Sequence, residues 1–181
     1  MNRIRCMSQQ AGIIATLSDS RQLHVFDAVS AYRSLLVPGP REQPAQRPAY
    51  SFRGHRDEGF ALDWSSVVSG RLASGDCAGN IHITNLANGT WQTDTNAYKG
   101  HTGSVEDIQW SSTEGTVFVS CSSDKTVRIW DTRGRTGPQI TVKDAHTADV
   151  NVISWNKSVG YLLASGSDDG SFKVSGFKLL P

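Results

Sequence analysis

One segment of this chain occurs three times with nearly the same residues. It reads GHRDEGFALDW, then GHTGSVEDIQW, then AHTADVNVISW, and its second residue is His55, His101 or His146. The three histidines are 46 and 45 residues apart, and the tryptophans that end the segments repeat the same two intervals. A fixed period of this length indicates that one supersecondary unit is repeated along the chain.

A second shared block follows each tryptophan: RLASGDCAGNIHITNLA, VFVSCSSDKTVRIWDTR and LLASGSDDGSFKVSGFK. In the middle block Val127 and Ile129 alternate with Thr126 and Arg128, which is the period of two that is typical of a half-buried strand. A cluster of Ser, Gly and Asp residues divides each block and predicts a turn between two strands. Since a further strand precedes each histidine, the repeated unit has four short strands.

The chain before Gly54 fits the same unit less closely. Residues 13–27 align with residues 118–131, which predicts an innermost strand over residues 2–8 and an outer strand over residues 47–53. Residues 37–48 hold four of the six prolines, too many to continue a sheet. We therefore predict that this proline-rich stretch is a surface loop inserted in the first unit.

The GH dipeptide before the first strand and Trp130-Asp131 at the end of the third strand resemble the WD-repeat family, whose units form the blades of a β-propeller. The resemblance implies an all-β fold, namely one partial propeller of four blades. We expect the last blade to be incomplete, because Ser175-Gly176 stands where the family has Trp-Asp, and we expect the chain to be a fragment or a shortened isoform. The predicted blades cover residues 1–53, 54–99, 100–144 and 145–181.

Composition excludes several classes of function. A formal net charge of +1 favours binding to neither nucleic acid nor an anionic membrane, and no apolar run has the length of a signal peptide or a membrane span. The three cysteines form no C-x-x-C pair, so we predict neither a disulfide framework nor a metal site, and no cofactor. His24 and His82 share a third-strand position that we expect to face solvent, so neither is a promising metal ligand.

Four residues of the third unit are candidates for either of two roles. His101, Ser120 and Asp124 could form the triad of an acyl-transfer enzyme, but no G-x-S-x-G motif surrounds the serine. Buried polar groups must satisfy one another, and with Trp130 the same residues would form a structural hydrogen-bond network. We predict the network and no catalytic residue, and a hydrolase remains an alternative that solvent exposure of Ser120 would support.

The corresponding set is less complete in the neighbouring units. The fourth unit keeps His146, Ser165 and Asp169 but has Ser175 in place of tryptophan. The second unit keeps its histidine and serine, with Ala78 at the aspartate position and threonine at the tryptophan position. We therefore expect an incomplete network in both units.

Partner binding is expected at the surface near the repeated histidines. The third and fifth residues after each histidine alternate with a buried residue, so both should point away from the blade core, as should the residue before the turn aspartate. Four of these eight residues are acidic and none is basic, which favours a basic partner. The eight positions, called the rim below, are Glu58, Phe60, Ser104, Glu106, Ser123, Asp149, Asn151 and Asp168.

The segments EGFALDW, SVEDIQWSSTE and DVNVISWN resemble the histone-binding, glutamate-rich branch of the WD-repeat family. This resemblance implies a non-catalytic chaperone or assembly factor for basic proteins, namely histones and a large-subunit ribosomal protein, acting in ribosome biogenesis in the nucleus and nucleolus, and also in the cytoplasm. It implies no direct contact with nucleic acid. The glutamate-rich tract is absent here, so the alternative is a truncated isoform without independent activity, which self-associates through its open blade edges.

Overall fold

The computed structural model describes residues 1–29, 47–134 and 137–177, and these residues form an all-β fold as predicted. No helix in this part of the chain is long and apolar enough to cross a membrane. The strands are β1 (Arg3–Met7), β2 (Gln10–Leu17), β3 (Leu23–Asp27), β4 (Tyr50–Phe52), β5 (Ala61–Trp64), β6 (Arg71–Gly75), β7 (Ile81–Ala87), β8 (Thr90–Thr93), β9 (Val105–Trp110), β10 (Val117–Ser122), β11 (Val127–Asp131), β12 (Ile140–Val142), β13 (Val150–Trp155), β14 (Leu162–Ser167) and β15 (Phe172–Gly176).

The strands form four antiparallel sheets, which we call blades one to four. Blades one, two and three are β1-β2-β3-β4, β5-β6-β7-β8 and β9-β10-β11-β12, whereas blade four has only β13-β14-β15 in the described residues. The inner strands β1, β5, β9 and β13 contact one another in chain order. This arrangement is a β-propeller with four blades, as the repeats predict.

The first blade contains both strands that its weak alignment with the later blades suggests. Strand β1 falls within the predicted inner strand over residues 2–8, and β4 falls within the predicted outer strand over residues 47–53. The predicted proline-rich loop over residues 37–48 lies outside the described residues except for its last two positions.

One turn with a fixed backbone geometry joins the second and third strands of every blade. Its last residue donates its backbone N–H to the carbonyl three residues earlier and has a positive φ. Glycine takes this conformation without a steric cost, whereas a residue with a side chain takes it less readily. The four residues are Arg21 (φ 61°), Gly79 (φ 79°), Lys125 (φ 67°) and Gly170 (φ 77°).

Three hydrophobic clusters hold the four blades together. Each cluster joins apolar side chains from the facing sides of two neighbouring blades. A sheet with one apolar face must bury it against another layer, and here that layer is the next blade. Representative buried pairs are Leu17 with Leu62, Ile81 with Phe118, and Val119 with Ile153.

The far face of blade four has no such cover in the described part of the chain. The register gives Phe172 and Val174 the positions that Val127 and Ile129 hold in blade three. The two blade-three residues are buried against blade four, whereas Phe172 is 79% exposed and Val174 is 64% exposed. Together with Val152, which is 53% exposed on the inner strand, these residues form what we call the open face.

We expect the 181-residue chain to self-associate at micromolar concentrations, because the open face leaves an apolar patch beside an uncovered sheet edge. Sedimentation velocity should detect species larger than the 19.7 kDa monomer. Replacing Phe172 and Val174 by serine should restore the monomer, whereas Leu86→Ser, at an exposed site in blade two, should not. A parent chain that sediments as one sharp monomer would contradict the prediction.

Candidate protein-binding site

The structure brings the four predicted network residues of blade three together. His101 Nε2 lies 2.7 Å from Ser120 Oγ, and Trp130 Nε1 donates to the same oxygen at 2.8 Å. On the other side of the ring, His101 Nδ1 lies 2.9 Å from the Asp124 carboxylate. Ser120 is 0% exposed, so the condition that would have supported a hydrolase is not met.

The direction of each hydrogen bond in this network follows from the chemistry of its two ends. The indole of Trp130 can only donate and the ionised Asp124 carboxylate can only accept. Ser120 therefore accepts from the indole and donates to His101 Nε2, and His101 donates from Nδ1 to the carboxylate. Every polar atom of this buried set has a partner, so the set stabilises the blade and offers no group to a substrate.

The pKa values of the network residues agree with this arrangement. Burial lowers the pKa of His101, and the hydrogen bond to Asp124 opposes that effect only in part, so the ring is neutral at pH 7. Burial acts to raise the pKa of Asp124, but hydrogen bonds from His101 and Thr126 outweigh it and hold the pKa well below its usual value. The carboxylate therefore remains ionised at any pH near neutrality.

The sequence predicted that the hydrogen-bond network of blade two lacks its aspartate, and this prediction is wrong. Ala78 occupies the expected position, but Asp76, two residues earlier, places its carboxylate 3.2 Å from His55 Nδ1. The same carboxylate accepts the backbone N–H of Arg56 at 3.0 Å and that of Asn80 at 2.9 Å. Asp76 is 0% exposed. Asp76 lies in the same turn as Ala78, but aligning the repeats position by position assigned the role to Ala78 and so missed Asp76.

The prediction that the third-strand histidines face solvent is wrong for His82, which is 4% exposed. Its ring centroid lies 4.8 Å from that of Phe52 and 5.0 Å from that of His55. The ring donates from Nδ1 to the Asp94 carbonyl at 2.9 Å, and burial lowers the pKa of His82. Blade one covers this residue, whereas His24 is partly exposed. In the described ranges no cluster of three metal-ligating side chains occurs.

Backbone hydrogen bonds bring the rim positions together within each blade. In blades two, three and four, the residue that precedes the tip of the turn donates its N–H to the carbonyl of the third residue after the histidine. Cys77 therefore belongs to the rim. The sequence analysis missed it, because it took the residue before the turn aspartate, and in blade two that aspartate precedes Cys77. The bonded pairs are Cys77 with Glu58 at 2.8 Å, Ser123 with Ser104 at 3.0 Å, and Asp168 with Asp149 at 3.1 Å.

The predicted rim residues differ in how far they reach solvent. Asn151 and Asp168 are exposed and hydrogen-bond to each other. Ser104 is a correction, because the residue is half-buried and its hydroxyl oxygen is enclosed instead of facing solvent. The half-buried members are Glu58, Phe60, Glu106, Ser123 and Asp149.

Negative charge from two blades converges on Cys77. Burial raises the pKa of the Cys77 thiol, and the carboxylates of Glu106, Asp57 and Glu58 raise it further through their charge. Glu58 is also held in place, because Asn2 Nδ2 donates to its carboxylate at 2.9 Å. Asp57 was not among the predicted residues, so the acidic surface is larger at this point than the repeat pattern indicates.

Polar side chains on the inner strands join blade two to blade three and blade three to blade four. They accept backbone N–H groups from the neighbouring inner strand, which keeps adjacent blades in register and holds the rim positions at a fixed spacing. Sequence reasoning missed these residues, because strand alternation shows only that they are polar. The bonds are Asp63 to Trp110 N at 2.8 Å, Asp107 to Ile153 N at 3.2 Å, and Gln109 to Trp155 N at 2.8 Å.

We expect Asp63→Asn to have a higher free energy of unfolding than the parent at neutral pH. This gain over the parent should be smaller in acid. Burial raises the pKa of Asp63 from 3.8 to about 6, so the stability contributed by this group is fully present below pH 3.8 and is lost as pH rises through 6. The amide can still accept from Trp110 without the cost of a buried charge. The gain of the variant over the parent should be larger at pH 7 than at pH 4 by about 2 kcal/mol.

Urea denaturation of both proteins at the two pH values measures this difference. The exposed Asp19→Asn change is the control, and it should leave the difference near zero. An Asp63→Asn protein whose stability follows the parent at both pH values would show that the carboxylate is already ionised at low pH.

The four blades, the histidine before the inner strands of blades two, three and four, and the buried Trp-Ser-His-Asp set of blade three are the features of a WD-repeat scaffold. A family model described as WD domain, G-beta repeat matches residues 92–131 and 137–174. The chain therefore contains WD repeats.

Three curated relatives resemble most of this chain. Glutamate-rich WD repeat-containing protein 1 of Dictyostelium discoideum is 54% identical over 79% of the chain and 29% of the relative. Protein HEAT STRESS TOLERANT DWD 1 of Arabidopsis thaliana is 45% identical over 78% of the chain and 31% of the relative. Ribosome assembly protein rrb1 of Schizosaccharomyces pombe is 41% identical over 84% of the chain and 33% of the relative. The chain thus spans about a third of the length of these relatives.

Proposed function

We propose that this chain is a protein-binding scaffold in ribosome biogenesis that holds a basic client protein at its rim. The observation that carries the proposal is that the rim carries acidic residues in blades two, three and four, namely Glu58, Glu106, Asp149 and Asp168, each of them half-buried or exposed. The similarity to a protein named as a ribosome assembly factor supports the process in which the scaffold acts.

A basic client fits this surface for electrostatic reasons. Carboxylates that are half-buried are screened less by salt than fully exposed ones, so they attract a cationic chain more strongly. Ribosomal proteins and histones are rich in lysine and arginine, and they need a partner that covers this charge before assembly. We propose histones and a large-subunit ribosomal protein as the clients, and the nucleus and nucleolus as the location.

Charge reversal at the rim tests the proposal. We expect Glu106→Lys together with Asp149→Lys to slow association with a lysine-rich histone tail peptide by about tenfold at low salt, because the attraction that steers the encounter is lost. Stopped-flow measurements at several salt concentrations give the rate and its salt dependence, which should also become weaker in the variant. The free energy of unfolding should change little, since partly exposed charges contribute little to stability.

A matched double variant separates the rim from the overall charge of the protein. Asp27 is exposed at the end of β3, and Glu114 is exposed in the loop between β9 and β10, so both lie at the strand ends opposite the rim. Asp27→Lys together with Glu114→Lys makes the same change in net charge and should leave the association rate close to that of the parent. Equal rates for the rim variant and the parent would show that the client does not bind at the rim.

The open face favours a second candidate, a chain without independent binding activity. An apolar surface of this kind leads to self-association, which can block the rim. The two candidates differ in what the monomer does. If the Phe172→Ser, Val174→Ser monomer does not bind the peptide at all, the scaffold proposal fails for this chain and the second candidate replaces it.

A further inference from the structure

Blade two contains a polar pocket of about 480 Å³. Its walls come from the loop around the repeated histidine, from the turn before β7 and the start of that strand, and from the segment after β8. Blade two lies between blades one and three, so this pocket is not at a flank of the blade array. The polar side chains that line it are Arg56, Asn80, His82, Thr95, Asn96 and Lys99.

The lining of this pocket carries positive charge and includes no carboxylate among the described residues. Arg56 and Lys99 are exposed, and neither side chain forms a hydrogen bond or an ion pair with a described residue. Asp57 follows Arg56, but its Oδ1 accepts the Glu58 N–H at 2.9 Å. Asp76 is fully buried, and its carboxylate accepts hydrogen bonds from within blade two. The pocket therefore favours an anion.

Blades three and four use the corresponding position differently. The register places Arg128 and Lys173 where blade two has His82, opposite the serine of each network. Arg128 Nε donates to Thr126 Oγ1 at 3.0 Å, and its guanidinium lies 3.4 Å from the Asp124 carboxylate. Lys173 donates to a backbone carbonyl of its own blade. These cations are used inside their blades, whereas the two cations of the pocket are available to a ligand.

One ring nitrogen of His82 is also available in the pocket. The residue is 4% exposed, and its Nδ1 donates to the Asp94 carbonyl at 2.9 Å. Nε2 forms no hydrogen bond with a described residue and is not enclosed, and the ring lines the pocket. Since Nδ1 carries the proton, the neutral ring has a free lone pair on Nε2. A ligand that fills this place has to supply a proton to that nitrogen.

Phosphate has both properties that the pocket requires. Its oxygens accept charge-assisted hydrogen bonds from guanidinium and ammonium groups. Its second pKa is about 6, close to that of histidine, so near neutral pH it can carry the proton that Nε2 needs. Sulfate has a similar shape but carries no such proton. A water molecule occupies about 30 Å³ in the liquid, so the pocket has room for a phosphate group and the side chain that bears it.

We infer that this pocket binds a phosphate group, with Arg56 and Lys99 contacting its oxygens and His82 Nε2 sharing its proton. When the dianion binds, one proton is taken up from solvent and lies between Nε2 and a phosphate oxygen. The source is a free phosphate ion or the phosphorylated side chain of a partner protein. The pocket uses none of the acidic rim residues, so the inference does not depend on the proposed client.

Amide NMR of the full chain at pH 7 tests the inference with three probes at equal ionic strength. These are inorganic phosphate, sulfate, and a short glycine-alanine peptide that contains one phosphoserine. We expect phosphate or the peptide to shift the signals of Asn80 and Asn96 with a Kd of about 1 mM or tighter, and sulfate to bind at least about fivefold more weakly. Tighter binding of the peptide identifies a phosphorylated side chain as the source, and equal affinities identify the free ion.

Variants of the two cations locate the binding. Arg56→Gln together with Lys99→Gln should weaken phosphate binding by about tenfold or more, because two charge-assisted hydrogen bonds are lost. Both residues are exposed, and unfolding curves show whether the variant remains folded. Lys143→Gln together with Lys157→Gln makes the same change in net charge at exposed sites in blades three and four, and it should leave the affinity unchanged.

The ring signals of His82 report its own part in the site. Burial lowers the pKa of His82, and besides the two cations the groups that face it are His55, Asp76 and Asp94. A bound phosphate favours the protonated ring, so the titration of His82 should move to higher pH by roughly one pH unit. The ring signals of His24, at the corresponding position in blade one, are the control and should not move.

Three results would overturn the inference. Phosphate that shifts no signal around the pocket, or that binds the Arg56→Gln, Lys99→Gln variant as tightly as the parent, would show that the pocket is not a phosphate site. Equal affinities for sulfate and phosphate at pH 7 would show that no proton is shared with Nε2. A His82 titration that phosphate leaves unchanged would contradict the contact with this ring directly.

Discussion

Trp130→Ala should lower the free energy of unfolding by about 3 to 5 kcal/mol, which is typical of removing a large buried aromatic residue. The indole is 1% exposed, and it stacks on Phe118 while contacting Tyr98 from the neighbouring blade. Its removal opens a cavity at the contact between two blades and takes a donor from Ser120. Because the cavity lies between blades two and three, both blades should lose stability together.

Trp130→Phe separates the ring from its hydrogen bond. Phenylalanine keeps most of the packing but cannot donate to Ser120, so we expect a loss of about 1 to 2 kcal/mol. Trp91 is half-buried in blade two and is the control, since Trp91→Ala should cost less than Trp130→Ala. Chemical denaturation followed by circular dichroism measures all three. A change below about 1 kcal/mol for Trp130→Ala would show that the indole is not a core residue.

The strands could be predicted because alternation of polar and apolar residues reflects burial on the two faces of a strand. Val127 and Ile129 are buried and Arg128 is only partly buried, as their alternation predicts. The four-residue network of blade three could also be predicted, because its members recur at fixed distances from the repeated histidine. In such cases local residue order determines the contact, and no knowledge of the neighbouring blade is required.

Predictions failed where a neighbouring blade decides the environment. Alternation shows which way a side chain points but not what covers it, so His82 was expected in solvent although Phe52 of blade one packs on it. The same limit applies in the opposite sense to Phe172 and Val174. They have the pattern of core residues, yet they are exposed because no blade lies on that side in the described residues.

Predictions also failed where backbone geometry brings a different residue to the same place. Asp76 lies two residues before the expected position. Its carboxylate accepts the Ala78 N–H within the turn and still reaches the His55 ring. Ser104 was expected to face outward, but its hydroxyl oxygen is enclosed. Both effects arise from backbone geometry and not from residue type. An alignment of the repeats therefore cannot detect either of them.

Asp76→Ala should lower the free energy of unfolding by about 3 to 5 kcal/mol, because several buried donors lose their partner at a cost of about 1 to 3 kcal/mol each. The carboxylate is fully buried and accepts hydrogen bonds from the His55 ring and from the backbone N–H groups of Arg56 and Asn80. Alanine leaves each of these donors without a partner in a place that water does not reach, which adds to the cost. Denaturant unfolding at pH 7 measures the loss.

The pH dependence of Asp76→Asn tests whether the charge of this group is responsible. Burial acts to raise the pKa of Asp76, but hydrogen bonds from His55 and from the amides of Asn80 and Arg56 outweigh it, so the pKa lies below 3.8. A lowered pKa means that the stabilisation is present above pH 3.8 and is lost as pH falls through the folded-state pKa. The parent should therefore exceed Asp76→Asn in stability most clearly at pH 7, and the gap should narrow as the carboxyl is protonated in acid. Asp124→Asn should behave in the same way, because its carboxylate has the equivalent role in blade three. A gap for Asp76→Asn that stays constant from pH 7 down to about pH 2 would show that shape, and not charge, makes this residue necessary.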